Sequence, residues 1–169
     1  MMLRKAVIED RASVEALYQE AKDFLRACGV NQWQDGYPDG ESFVRDVAEG
    51  NAWVVEDRGQ VVATAYLGIG REPTYETIYE GTWAAEPTEY AFLHRIAVAG
   101  SCKGKGVPEL FFRQLEEEAR KYGLLVLRGD THRDNKIMQR VMEKNSLSYR
   151  GIIYLEDGSP RMAYEKVLD

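Results

Sequence analysis

Residues 92–112, Phe-Leu-His-Arg-Ile-Ala-Val-Ala-Gly-Ser-Cys-Lys-Gly-Lys-Gly-Val-Pro-Glu-Leu-Phe-Phe, constrain this chain more than any other stretch. They predict a strand, a short loop rich in glycine and lysine, and the first turns of a helix. Such a loop gathers backbone N–H groups and the positive end of a helix around one point, an arrangement suited to an anion and above all to a phosphate. A ligand that carries phosphate is therefore expected here.

The 169 residues suit one domain, expected over 1–169, with enough chain to bury a core. Hydrophobic residues make up 44% and charged residues 30%, ordinary values for a soluble globular protein. The 22 basic and 28 acidic residues give a net charge of −6, which argues against a nucleic-acid partner. A local basic pocket at Lys103 and Lys105 is compatible with that balance. No apolar run approaches the length of a membrane span, so no membrane partner is expected. Met-Met-Leu-Arg-Lys leads straight into a strand-like segment without the pattern of a signal peptide. Cys28 and Cys102 form neither a disulfide framework nor a metal-ligand spacing. Together these features predict a cytoplasmic protein without a metal.

Hydrophobic periodicity predicts the element order βααβββαβαββ, a mixed α/β domain. A strand is expected over Leu3–Val7. A helix follows the acidic start Glu9-Asp10, with Val14, Leu17, Ala21, Phe24 and Cys28 on its apolar face. A second helix is expected over Glu41–Glu49. Strands Ala52–Glu56 and Gln60–Gly68 flank the turn Asp57-Arg58-Gly59, a hairpin signal. A strand over Glu89–Val98 precedes the glycine loop. The helix Gly106–Tyr122 presents Val107, Phe111, Leu115, Ala119 and Tyr122 on one side. A strand over Leu124–Arg128, a helix over Asn135–Asn145 and strands over Leu147–Leu155 and Arg161–Val167 complete the chain.

Neither of the common nucleotide loops fits. A P-loop needs Gly-x4-Gly-Lys-Ser/Thr. A dinucleotide fingerprint needs Gly-x-Gly-x-x-Gly early in a βαβ unit, whereas Gly104-Lys-Gly106 comes late and lacks the third glycine. The element order and the loop together resemble the GNAT superfamily of acetyl-CoA-dependent N-acyltransferases, from Leu3 to Val167. Lys103-x-x-Gly106-x-Pro108 is similar to the family's Arg/Gln-x-x-Gly-x-Gly/Ala, and Leu93-His-Arg-Ile-Ala-Val98 to its central strand. Asn135 is similar to the family's asparagine that meets the pantetheine arm.

The resemblance implies a central mixed β-sheet flanked by helices. It also implies acetyl-CoA as co-substrate and transfer of acetyl to a primary amine of a small molecule or peptide within a ternary complex. Lys103, Gly104, Lys105, Gly106, Val107 and Pro108 would hold the pyrophosphate, Ile96, Ala97 and Val98 would pair with the pantetheine amides like an added strand, and Asn135 would hold the arm from the other side. An amide near Ile96–Val98 would stabilise the oxyanion, at the point where the family's strand bulges.

Three residues depart from the family's pattern. Lys103 keeps a cation but loses the guanidinium fork. Pro108 has no N–H, although proline suits the first turn of a helix. Met142 stands where the family often has a tyrosine that protonates the departing thiolate, and it has no proton to give; Tyr149, Tyr154 or water are the substitutes. This last departure keeps open an alternative, an acyl-CoA sensor on the same fold without turnover.

For the general base the candidate is His94, placed by strand alternation with Phe92, Ile96 and Val98. An ordinary imidazole pKa of about 6.5 suits the work. Glu89 and Tyr90 are weaker candidates, and the plain structural alternative is a half-buried strand histidine. Asp130, His132 and Asp134 lie close in sequence, but a loop before a helix favours capping by Asp134 or Thr131 over a metal. Trp33, Tyr37 and Trp83 either cover an acceptor or plug the core. The five glutamates between Glu72 and Glu89 either attract a cationic amine or form a solvated edge. Glu116-Glu117-Glu118 reads as a water-facing flank, and Cys102 as a small loop residue. Exposed aromatics would suit a homodimer.

Overall fold

The computed structural model describes residues 1–169. Seven strands and four helices follow in the expected order: β1 (Met2–Lys5), α1 (Arg11–Ala27), α2 (Gly40–Ala48), β2 (Ala52–Asp57), β3 (Gln60–Gly70), β4 (Tyr90–Val98), α3 (Val107–Lys121), β5 (Val126–Thr131), α4 (Lys136–Lys144), β6 (Ser148–Tyr154) and β7 (Pro160–Val167). The strands form one mixed sheet in the order β1-β2-β3-β4-β5-β7-β6. β4 and β5 run parallel, while β1/β2, β2/β3, β5/β7 and β6/β7 are antiparallel. The fold is thus the mixed α/β arrangement expected. No helix is long and apolar enough to cross a membrane.

The chain divides into two compact units. The first comprises Met1–Leu67 and His94–Phe111. Its hairpin turn has positive φ at both central residues, Arg58 (52°) and Gly59 (79°), the twist that suits a two-residue connection between Asp57 and Gln60. Asp39 caps α2: its carboxylate accepts from the Ser42 amide at 2.9 Å. Val14, Leu17 and Tyr18 of α1, Phe43 of α2, Ala52 and Val54 of β2 and Ala97 of β4 form a buried apolar cluster.

Two residues expected on the inner face of α1 lie outside the core. Phe24 is 37% exposed and Cys28 is exposed. Val14, Tyr18 and Leu25 set the centre of the buried stripe. At 3.6 residues per turn Phe24 sits about 100° from that centre. Cys28 is the C-cap, past the helix end.

The second unit comprises Gly68–Leu93 and Phe112–Asp169. Ala91 and Phe92 of β4 pair with Leu127 and Arg128 of β5. Thr131 to Val126 then pair with Met162 to Val167 of β7. A buried charge ties this sheet to the segment before β4. Arg128 donates from Nε to Glu165 Oε2 at 3.0 Å and from Nη2 to the Ala85 carbonyl at 2.8 Å, and its guanidinium lies 4.0 Å from the Trp83 ring and 4.4 Å from the Tyr90 ring. Glu165 Oε1 accepts the Ala84 amide at 2.7 Å. Both charges are satisfied, as buried ions must be.

Val107, Phe111, Leu115 and Ala119 of α3 are all fully buried, as the four-residue spacing predicts. Tyr122, expected on the same face, is 65% exposed because the helix ends at Lys121. Glu116, expected in water, is half-buried and paired with Lys166.

Candidate active site

β4 is not a regular strand. Arg95 has φ 51°, a left-handed conformation that a residue with a Cβ rarely adopts inside a strand. The penalty is roughly 1–2 kcal/mol. Such a residue breaks the two-residue alternation, so the expected common face for Phe92, His94, Ile96 and Val98 does not hold across position 95. Before it, Tyr90 to Leu93 are all buried; after it, only Ala97 is, with Ile96 and Val98 half-buried.

The side chain of Arg95 is held on several sides. Its Nε and Nη2 donate to the two carboxylate oxygens of Asp46 on α2, each at 2.8 Å. Its Nη1 donates to the Tyr37 hydroxyl at 2.5 Å. The guanidinium also lies 4.4 Å from the Tyr66 ring on β3. Burial pushes the Asp46 carboxyl above the usual carboxylate value, against the opposing pull of Arg95. Beside this cluster the His94 imidazole stacks on Tyr66, with ring centroids 6.0 Å apart. Burial pushes the Tyr66 hydroxyl up to about 12; it donates to Glu49 at 2.9 Å and accepts from Asn51 at 3.2 Å.

The glycine loop follows in the same unit. Glu20 of α1 accepts the Gly100 amide at 2.7 Å and anchors its start. The Cys102, Lys103 and Lys105 amides turn inward onto the carbonyls of Ala99, Gly100 and Cys102, at 2.9, 3.3 and 3.3 Å. The amides of Gly104, Gly106 and Val107 make no such inward bond. Gly104 and Gly106 have φ +75° and +73°, values that strain any residue with a Cβ. A Cβ at Gly104 would meet nothing within 4 Å, so the backbone here is open. Val107 begins α3, whose first amides have no partners within the helix. Pro108 occupies the first turn and gives no donor, as expected. Lys105 is exposed. The Lys103 ammonium instead lies over the Phe24 ring, 3.1 Å from its centroid.

Ten of the eleven residues predicted for the site therefore belong to the first unit: His94, Ile96, Ala97, Val98, Lys103, Gly104, Lys105, Gly106, Val107 and Pro108. Asn135 belongs to the second. Its side chain accepts the Met138 amide at 3.1 Å and caps α4, a task expected of Asp134 or Thr131. Met142 is buried, with its thioether against Gly129 of β5, so this position packs the core. Tyr149 and Tyr154 are 45% and 44% exposed.

The other candidates have structural work. The Tyr75 hydroxyl donates to Asp130 at 2.5 Å. His132 Nδ1 accepts the Asp134 amide at 3.0 Å. Trp33 packs edge-on against Tyr18, and Trp83 Nε1 donates to the Tyr75 carbonyl at 2.9 Å. Glu76 pairs with Arg71 at 2.6 Å. Cys102 is buried. The sequence reading missed Arg95, Asp46 and Tyr66, for which it offered no local motif.

The chain matches the family model of the GNAT acetyltransferases over residues 14–146. It belongs to that family. Over 99% of its length it is similar to a GNAT-family acetyltransferase from Streptococcus agalactiae 2603, at 30% identity, a TM-score of 0.87 and 95% coverage of that chain. The ribosomal-protein-alanine N-acetyltransferase of Brucella melitensis shares the fold at 21% identity and a TM-score of 0.70, over 99% of this chain and 100% of that one. So does yncA of Salmonella typhimurium, solved with its cofactor acetyl-CoA, at 17% identity and a TM-score of 0.69, over 99% and 94%. No curated protein sequence matches this acetyltransferase-family chain.

Proposed function

We propose that this acetyltransferase moves an acetyl group from acetyl-CoA to a primary amine of a small molecule or peptide in the cytoplasm, by direct attack in a ternary complex. One observation carries the reading: the loop turns at Gly104 and Gly106 with φ +75° and +73°, its backbone is open at Gly104, and it runs directly into the first amides of α3. Amides and a helix N-terminus so arranged suit a diphosphate. Lys103 and Lys105 add positive charge, and Pro108 sets the first turn without donating. Residues 96–98 offer strand edges to a pantetheine arm.

Acetyl-CoA supplies an activated carbonyl on a thiol whose ordinary pKa is roughly 8.5, a leaving group that needs no strong acid. The buried Met142 gives no proton, so the departing sulfur takes one from water. His94 removes a proton from the acceptor ammonium, directly or through water. A backbone amide near Ile96–Val98 holds the oxygen that gains charge.

The test combines calorimetry with a thiol assay. The chain is titrated with coenzyme A, then mixed with acetyl-CoA and a panel of amino acids, polyamines, aminoglycosides and peptides. The expected result is saturable binding and release of thiol with at least one amine. Absence of heat at millimolar coenzyme A would overturn the reading, and binding without thiol release from any amine would leave a sensor.

A further inference from the structure

We propose that the Asp46–Arg95 ion pair is a positioning device for acetyl transfer: it holds β4 in the left-handed turn that presents the amides after residue 95. The inference rests on the acetyltransferase reading above and goes beyond it by naming what keeps the strand out of register.

A left-handed arginine needs a cause, because arginine has a Cβ and no local hydrogen bond that favours φ 51°. Strain of this kind persists only where surrounding contacts over-determine it, and it clusters at functional sites. Here the contacts come from three other elements. Asp46 of α2 takes both Nε and Nη2 at 2.8 Å. Tyr37, between α1 and α2, takes Nη1 at 2.5 Å. Tyr66 of β3 lies under the guanidinium at 4.4 Å. The side chains of Arg95 and Asp46 are only 14% and 8% exposed, so the pair is shielded from competing water.

The bidentate geometry fixes orientation as well as distance, which a single contact would not do. The guanidinium cannot rotate without breaking one of the two bonds, so the end of the Arg95 side chain is anchored to α2. His94 precedes the turn and Ile96 follows it. The pair therefore acts on both the base candidate and the amides proposed for the oxyanion. It touches neither reactant, so it is a positioning pair and not a catalytic one.

The experiment compares Arg95→Gly with Arg95→Ala. Both abolish the ion pair, but only glycine adopts φ near 51° freely. If the conformation is what matters, Arg95→Ala lowers kcat roughly 10- to 100-fold, less than the roughly 100- to 1000-fold of an oxyanion donor removed outright, while KM for acetyl-CoA stays within about twofold. Arg95→Gly keeps a kcat about tenfold above that of the alanine variant, because glycine holds the positive φ without strain. Equal kcat values, or a slower glycine variant, would overturn the proposal and leave a simple fastening of α2. Asp46→Asn provides a second variant and should reproduce the alanine phenotype; an unchanged kcat would also overturn it.

A readout independent of turnover separates this proposal from the function it rests on. Acetyl-CoA labelled with carbon-13 at the carbonyl should show a downfield resonance when bound to the unmodified chain. That shift should shrink in Arg95→Ala and persist in Arg95→Gly. If the shift is present and follows that order while no amine is acetylated, the positioning role stands and the transfer reading falls. If transfer occurs and the shift is the same in all three proteins, the positioning role falls alone.

Discussion

The Lys103 ammonium lies over the Phe24 ring, 3.1 Å from its centroid. The cation that precedes the glycine loop thus rests on a half-exposed aromatic of α1. A contact of this kind near solvent contributes about 0.5–1 kcal/mol. A diphosphate that draws Lys103 away must overcome it. Phe24→Leu should therefore tighten coenzyme A binding by roughly two- to fivefold, and Lys103→Ala should weaken it and reduce its salt dependence. Calorimetry at two salt concentrations checks both; a weaker Phe24→Leu complex would mean that the aromatic contact holds the loop open for the ligand.

His94 stands beside Tyr66 at a ring separation of 6.0 Å. If it is the base, His94→Ala should lower kcat at least about tenfold and leave coenzyme A binding intact. Steady-state kinetics with any accepted amine, alongside calorimetry, decides this. An unchanged kcat in a folded variant would remove His94 from the mechanism.

Arg128 and Glu165 are buried and facing in register across β5 and β7. Glu165→Leu leaves a buried guanidinium without its carboxylate and releases the Ala84 amide. The loss should be about 3–5 kcal/mol, whereas the double variant Arg128→Met, Glu165→Leu should lose far less because no buried charge is left alone. Denaturant unfolding of the three proteins measures it; equal losses for single and double variants would mean that the ring contacts of Arg128, not its charge, matter.

His132 gives a pH dependence. Burial, helped by Arg161, lowers its pKa from the ordinary 6.5. Its Nδ1 accepts the Asp134 amide at 3.0 Å, a bond that only the neutral ring makes. A histidine with a depressed folded-state value binds protons more readily when unfolded. Its contribution to stability is present above pH 6.5 and is lost as pH falls through the folded value. His132→Asn, which keeps an acceptor and does not titrate, should lose less stability than the parent between about pH 7 and pH 5. Parallel unfolding curves at both pH values would contradict this.

Much of the fold was legible because its signals are local. The four-residue spacing of Val107, Phe111, Leu115 and Ala119 identified the inner face of α3, and all four are buried. Asp57-Arg58-Gly59 identified the hairpin. Gly104, Gly106 and a proline in the first turn identified the glycine turn that leads into α3. The misplacements fell at the ends of elements. Phe24, Cys28 and Tyr122 continue the apolar pattern, but a pattern does not show where the core beneath a helix stops.

The amino-acid sequence by itself determined the order of elements, the inward stripe of each helix and the glycine turn, because those depend on contacts a few residues apart. Tertiary structure alone decided that β4 bends at Arg95, that Asp46 holds it from 49 positions away, and that Lys103 rests on Phe24. A left-handed arginine is unfavourable in isolation, so no local rule selects it. It persists because a buried carboxylate, a hydroxyl and an aromatic ring from three other elements meet its side chain together.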